Sequence, residues 1–310
     1  MTPEEITELR QQKYNATVVK MIRPNEDLMI VRARPDSGVP SHKPGQYTTL
    51  GLGYWEPRFP GCQLESLTEA QEKKLARRAY SISCSILDDE GTLLNRDDVD
   101  WLEFYIVLVR ESDRPQPPAL TPRLFMLREG DRLSMGPKIT GNFTADPVKP
   151  DDTVIFLSTG TGEAPHNYIS WELLRNNHQG KIISVCCVRY RQDLGYLAIQ
   201  EQLSERYSNY EYIALTTREK DTIQNKVYIQ DLILNGELER RLGEKLNPES
   251  THVYLCGNPS MIGIPDRDAK SGALTFPKPR GVIEILHERG FVPDQPQIHL
   301  VGNVHYEKYW

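Results

Sequence analysis

The sequence contains no apolar run approaching the roughly 18 residues of a membrane-crossing helix, so a helical membrane protein is not expected. Its first residues, Met1-Thr2-Pro3-Glu4-Glu5, lack the basic-then-apolar order of a signal peptide, and the expected location is the cytoplasm. Cysteine is sparse: Cys62, Cys84, Cys186, Cys187 and Cys256 are odd in number, two are adjacent, and none forms a Cys-x-x-Cys pair. Neither a disulfide framework nor a cysteine-ligated zinc or iron–sulfur site is legible, and no metal is expected. Basic residues are not in excess. A net charge of -6 argues against general nucleic-acid binding, which draws on many Lys and Arg contacts to phosphate. Ser, His and Asp show no recognisable triad spacing and no paired carboxylates mark a pocket, so hydrolytic readings have little support. No internal repeat or low-complexity tract is present.

What is there is length and alternation. At 310 residues the chain is about twice a typical domain, so two domains are expected, each with its own core. In the first half, β-rich segments at 16–23, 28–34, 46–52, 79–86, 102–109 and 131–135 are separated by Pro, Gly and Asp clusters. One helix-like stretch, 121–128, interrupts them. This spacing predicts an antiparallel barrel or sandwich. Residues 54–75 read as an insertion, because Pro57, Pro60 and Gly61 break any strand before a polar, helix-prone run. After Pro147-Val148-Lys149-Pro150 the texture changes. Strands at 153–158, 181–188, 210–216 and 252–256 alternate with helices at 165–176, 198–206, 229–242 and 281–289, the order of a doubly wound parallel sheet. Residues 265–278, rich in Asp, Lys, Pro and Gly, read as a surface excursion.

Within the second half, Ser158-Thr159-Gly160-Thr161-Gly162-Glu163-Ala164-Pro165 falls where an apolar strand ends and a helix begins. Such a turn admits close approach of a ligand, and the helix start presents free N–H groups to an anion or carboxamide. By itself it is equally a plain tight turn. The first half adds Arg78-Ala79-Tyr80-Ser81 and, just before the boundary, Gly141-Asn142-Phe143-Thr144. Lys43-Pro44-Gly45-Gln46-Tyr47, Leu102-Glu103-Phe104-Tyr105, Leu120-Thr121-Pro122-Arg123-Leu124 and Tyr254-Leu255-Cys256-Gly257-Asn258-Pro259-Ser260-Met261 accompany them in order. From about Lys43 to Trp310 the chain resembles the ferredoxin–NADP⁺ reductase family, and its bacterial members in particular.

That resemblance implies a six-stranded antiparallel FAD-binding β-barrel over 14–148, after an extension over 1–13, and an NADP(H)-binding Rossmann-like α/β domain with a five-stranded parallel sheet over 149–310. It implies an FAD-dependent oxidoreductase that exchanges a hydride between NADP(H) and flavin N5 and then single electrons with ferredoxin or flavodoxin. In the flavin site it places Arg78 on the pyrophosphate, Ala79 and Tyr80 along the flavin and its ribityl chain, Ser81 near N5, Tyr105 in the surrounding strand, and Gly141, Asn142, Phe143 and Thr144 in a second pyrophosphate turn. In the nucleotide site it places Gly160, Thr161 and Gly162 in the turn and Cys256 against the nicotinamide. Thr217 and Arg218, with Lys226, Tyr228 and Gln230, hold the adenosine and its 2′-phosphate, and Arg189, with Arg191 close by, adds a second cation. Ser81, Cys256 and the terminal Trp310, whose ring would stack on the flavin, are the expected catalytic groups. The acidic carrier would dock on Lys73, Lys74, Arg77 and Arg114. Glu163 and His166 depart from the family pattern, which has an aliphatic residue and a Phe there. A flavin reductase serving an oxygenase or a multi-subunit redox complex, and a flavin or nucleotide sensor without turnover, remain the competing readings.

Overall fold

The computed structural model describes residues 1–308 apart from Arg114 and Ala269. The docking candidate Arg114 and the terminal Trp310 therefore lie outside the described residues. The chain divides into two compact units, one of Met1–Cys84 with Leu94–Asn142, the other of Ser85–Leu93 with the chain from Phe143 onward.

The first unit opens on α1 (Pro3–Lys13), which begins with a capping box: Thr2 Oγ1 accepts from the Glu5 N–H, and the Glu5 carboxylate accepts from the Thr2 N–H at 2.8 Å. Arg10 at its far end grips Glu56 through two N–H···O bonds of 2.8 and 2.6 Å, so the extension is fastened to the loop after β3. Then come β1 (Ala16–Asn25), β2 (Leu28–Pro35), β3 (Tyr47–Gly53), the short α2 (Glu69–Glu72), β4 (Leu75–Ser81), β5 (Leu102–Val107), α3 (Thr121–Leu124) and β6 (Arg132–Met135). They form one six-stranded sheet in the order β4-β3-β6-β1-β2-β5, with every recorded pairing antiparallel. The chain just after β4 meets the other end strand, β5, at an isolated bridge of Ser83 with Glu103. The strand expected at 79–86 is displaced: β4 starts at Leu75, and after Ser81 the chain leaves the ladder, with Ile86 at φ 62°. Exposed Arg77 and Arg78 sit in that ladder opposite Gly51 and Leu50, so their charge did not prevent pairing.

The second unit is built from β7 (Thr153–Thr159), α4 (Glu163–Arg175), β8 (Ile182–Val188), α5 (Leu197–Arg206), β9 (Tyr210–Thr216), α6 (Ile229–Leu234), α7 (Glu237–Leu242), β10 (Thr251–Gly257), α8 (Pro259–Ile262), the two-residue strands β11 (Asp266–Arg267) and β12 (Leu274–Thr275), α9 (Val282–His287) and β13 (Val304–Lys308). Five strands are parallel in the order β13-β10-β7-β8-β9. One face buries Ile155, Leu157, Ile183, Val185, Val253 and Leu255 against α6, α7 and α9. At about 1.5–3 kcal/mol for each such side chain, this burial is what holds the layers together. The single helix expected at 229–242 is two, because Gly236 turns left-handed at φ 75° between them; just before it, the Asn235 side chain accepts from the Glu237 N–H. The excursion at 265–278 carries the β11–β12 ribbon.

The insertion at 54–75 is pinned by Arg123 of α3. Its guanidinium pairs with Glu65 at 2.5 Å and donates to the Tyr54 and Ala119 carbonyls, and both charged side chains are buried, 2% and 7% exposed. Removing one member of such a pair strands the other charge. Glu65→Ala is expected to cost about 3–5 kcal/mol in urea unfolding, whereas Arg123→Met with Glu65→Leu costs far less.

Candidate functional site

In the first unit the motif Arg78-Ala79-Tyr80-Ser81 is the last stretch of β4. The ladder sets Ser81 opposite Tyr47, and Tyr47 bridges on its other side to Thr140, with mutual N–H···O bonds of 2.9 and 3.0 Å. Gly141 follows at φ +127°, a conformation that L side chains rarely adopt, and its carbonyl accepts from Gln46 Nε2 at 3.0 Å. The strand end and the glycine turn thus flank one residue. Arg78 is exposed, donates to the Arg77 carbonyl, and pairs with no carboxylate among the described residues. A guanidinium without a carboxylate partner, and a positive-φ glycine turn, are each features that suit an anion such as a pyrophosphate. Ser81 is buried, Tyr80 half-buried, and Ala79 and Asn142 exposed. Tyr105 is buried on β5, the other end strand, which the Ser83–Glu103 bridge joins to the continuation of β4.

The second unit's candidate site residues lie at the carboxyl edge of the parallel sheet. The chain runs from β7 outward to β8 and β9, then crosses back to β10, so β7 and β10 are neighbours whose following loops diverge. This is the switch point where open α/β sheets take ligands. Gly160–Gly162 forms one tight turn after β7, and α4 starts without a side-chain cap. A Cβ on Gly160 would meet no atom within 4 Å, whereas one on Gly162 would lie 2.3 Å from the Cys256 carbonyl oxygen. Gly257, at φ +124°, approaches Thr159 equally closely, and Thr159 Oγ1 accepts from the Asn258 N–H at 2.7 Å. Cys256 is fully buried between Ser158 and Glu307.

The cations gather along the same edge. The Arg218 N–H donates to the Arg189 carbonyl at 2.8 Å, and Thr217 donates through its hydroxyl to the Val188 carbonyl at 3.2 Å, which ties the ends of β8 and β9 together. Arg189, Arg218 and Lys226 are exposed and pair with no carboxylate among the described residues. Glu219 is engaged elsewhere, accepting from the Arg191 N–H at 2.7 Å, while the Arg191 side chain pairs with Glu201. Tyr228 is 47% exposed ahead of α6, and Gln230 is half-buried in its first turn. Phe143 and Thr144 belong to this unit. Phe143 packs on His166 and Tyr254, and the Thr144 carbonyl accepts from the Tyr254 hydroxyl at 3.0 Å.

The chain is similar to proteins already known. A family model described as an oxidoreductase NAD-binding domain matches residues 156–266. The flavodoxin/ferredoxin–NADP reductase of Escherichia coli (strain K12) is 34% identical over 220 residues, 70% of this chain and 75% of that protein. Its counterpart in Buchnera aphidicola subsp. Schizaphis graminum is 30% identical over 251 residues, 80% of this chain and 86% of that one. The chain belongs to the flavodoxin/ferredoxin–NADP reductase family. The reductase fold is shared by a ferredoxin NADP⁺ reductase from Neisseria gonorrhoeae, whose structure has bound FAD and NADP. That match has a TM-score of 0.66 at 20% identity and covers 96% of this chain and 98% of the other.

Glu163 and His166, singled out above on the resemblance, are both fully buried among neighbours that sequence reasoning did not assemble. Glu163, the first residue of α4, is 0% exposed; its Oε1 accepts from Tyr212 of β9 at 2.9 Å and from Gln200 of α5 at 3.2 Å, and its Oε2 has no hydrogen-bond partner among the described residues. Gln200 also donates to Asn167 at 2.7 Å and accepts from the Tyr210 hydroxyl. Burial raises the Glu163 carboxyl from its ordinary 4.5 to about 7, against the lowering effect of its two hydrogen bonds. His166 is a ring among rings, 5.0 Å from Phe156 and 5.7 Å from Phe143, with neither nitrogen hydrogen-bonded among the described residues, and burial lowers it from 6.5 to about 3. The sequence signal for both was a Glu and a His in a stretch otherwise apolar or small.

The two shifts act on stability with opposite signs. Between about pH 4.5 and 7 the folded protein keeps a proton on Glu163 that the unfolded chain has released, so stability falls as pH rises through that window and stays lower above it. For His166, stability is lost as pH falls from 6.5 toward 3. Glu163→Gln is expected to gain about 2.5 kcal/mol on the wild type between pH 5 and pH 8 in denaturant titrations. A difference that does not change with pH would remove Glu163 as the source.

Proposed function

We propose that this chain is an FAD-dependent reductase that passes electrons between NADP(H) and ferredoxin or flavodoxin. The observation that carries the reading is the carboxyl edge of the parallel sheet, where the Gly160–Gly162 turn, the Cys256–Gly257 strand end and the joined ends bearing Arg189 and Arg218 lie along one ligand-binding edge. In the family relatives the same activity is in the name: flavodoxin/ferredoxin–NADP reductase.

The chemistry of the residues fits both cofactors. Arg78 and the Gly141 turn would hold the FAD pyrophosphate, Tyr80 its ribityl face, and the Ser81 hydroxyl would lie by N5. Arg218, Arg189 and Lys226 would take the 2′-phosphate, Tyr228 would stack on adenine, and Cys256 would pack on the nicotinamide. When bound, FAD supplies a centre that exchanges a hydride with nicotinamide and single electrons with the carrier. The protein's part is orientation and charge. We assign flavin binding to residues 14–148, nucleotide binding to 149–310, and place the protein in the cytoplasm, where its five free cysteines remain reduced.

Anaerobic mixing of the purified protein with NADPH or NADH tests the reading. Flavin bleaching should be fast with NADPH and weak with NADH, and Arg218→Ala should raise the NADPH KM by about 10- to 100-fold, the loss of a charge-assisted phosphate contact, while leaving NADH nearly unchanged. A colourless protein would overturn it, and a flavin indifferent to both nucleotides would favour a sensor.

For the carrier, the exposed Lys73, Lys74 and Arg77 offer positive charge on and beside β4, although Lys73 already pairs with Glu5 at 3.4 Å. Lys74→Glu with Arg77→Glu should raise the KM for ferredoxin several-fold at low salt, an effect that vanishes at high salt. An unchanged KM would remove this surface.

A further inference from the structure

Glu163 follows directly on the turn read above as the nucleotide site, and this inference rests on that reading. The turn is held from three sides. Gly162 lies against the Cys256–Gly257 backbone of β10, and the Gly160 carbonyl accepts from Cys186 Sγ of β8 at 3.8 Å. Glu163 ties the same segment to β9 and α5 through Tyr212 and Gln200. The groups facing Glu163 carry no positive charge. They are Tyr210 and Tyr212 from β9, Cys186 from β8, Gln200 from α5, and Asn167 one turn along α4. β7 and β10 meet the helix in the ring cluster of Phe156, Tyr254 and His166, and burial keeps His166 neutral. No Lys or Arg pairs with Glu163 among the described residues.

An ionised Glu163 therefore puts an uncompensated negative charge in the first turn of the helix whose N–H groups would face an anionic nucleotide. Two anions share one helix start, and within a protein interior their repulsion is weakly screened. We propose that Glu163 is a positioning residue of the nucleotide turn that couples nucleotide binding to proton uptake: the site holds the anionic nucleotide more tightly with Glu163 neutral, and binding draws a proton onto its carboxyl. Nucleotide affinity then weakens as pH rises through neutrality, and the linked proton is returned when the nucleotide leaves.

The test titrates NADP⁺ into the purified holoenzyme of the wild type, Glu163→Gln and Tyr212→Phe across the two pH units centred on neutrality. The 2′-phosphate titrates in the same range, but it does so for every variant, so the ratio of wild-type to Glu163→Gln Kd isolates the residue. That ratio is expected to rise about tenfold across the window. Calorimetry in two buffers of different ionisation enthalpy should show the wild type taking up roughly half a proton more than Glu163→Gln near pH 7. Tyr212→Phe removes a hydroxyl that supports the charged form, so its affinity profile should move to higher pH, and it decides the matter if Glu163→Gln does not fold. Parallel profiles with equal proton uptake would overturn the coupling and leave the nucleotide turn intact. A folded wild type that binds no NADP⁺ at any pH would overturn both.

Discussion

Two backbones pressed together at the carboxyl edge of the parallel sheet govern the second unit. Gly162 leaves no room for a Cβ against the Cys256 carbonyl, and Gly257 leaves none against Thr159. Because β7 and β10 are adjacent strands whose chains depart in opposite directions, this contact sits at the bottom of the crevice that the fold opens for a ligand. The same closeness sets where α4 begins, buries Cys256, and leaves the start of the helix without a side-chain cap. Packing on both faces of the sheet makes the arrangement stiff, so the position of the turn is inherited from the core.

Charge is arranged around that constraint in two layers. Outside, Arg189, Arg218 and Lys226 stand exposed at the ends of the outer strands and beyond, and Glu219 is drawn aside by the Arg191 backbone. Inside, Glu163 and His166 are held in surroundings that disfavour their charged forms. On the proposed reading, an anion at this edge would meet the cations at the ends of β8 and β9 and lie beside the helix start that carries the buried Glu163. In the first unit the arrangement is simpler: an exposed Arg78 opposite Leu50, and a ladder that sets Ser81 and Thr140, the residue before the positive-φ Gly141, around Tyr47.

Much of this was legible before any coordinates. Most runs of β-branched and apolar residues bounded by Gly or Pro became strands, the one at 79–86 only in its first residues, and the alternation after Pro150 became the parallel sheet. The start of β4 was missed because two arginines in a polar run look like insertion, and a ladder does not register the charge of a side chain that points to solvent. The first helix was written plainly in Thr2-Pro3-Glu4-Glu5, a capping box, but has a weak apolar stripe and buries none of its residues, so periodicity was silent. β13, five residues long, was hidden by Glu307 and Lys308 among its side chains, since an edge strand tolerates charge.

The sequence by itself determined the local chemistry: which turns needed glycine, which strand ends carried cations, and which residues broke the family's pattern. It also carried the family, because ordered motifs spread over most of the chain are a specific signal. Only the tertiary structure decided partnership. Tyr47 joining Ser81 to Thr140, Glu163 meeting Tyr212 and Gln200, and His166 lying among aromatic rings are contacts between segments far apart in the chain. A side chain's titration depends on water exclusion and on neighbours supplied by other strands, and neither is encoded at the residue's own position.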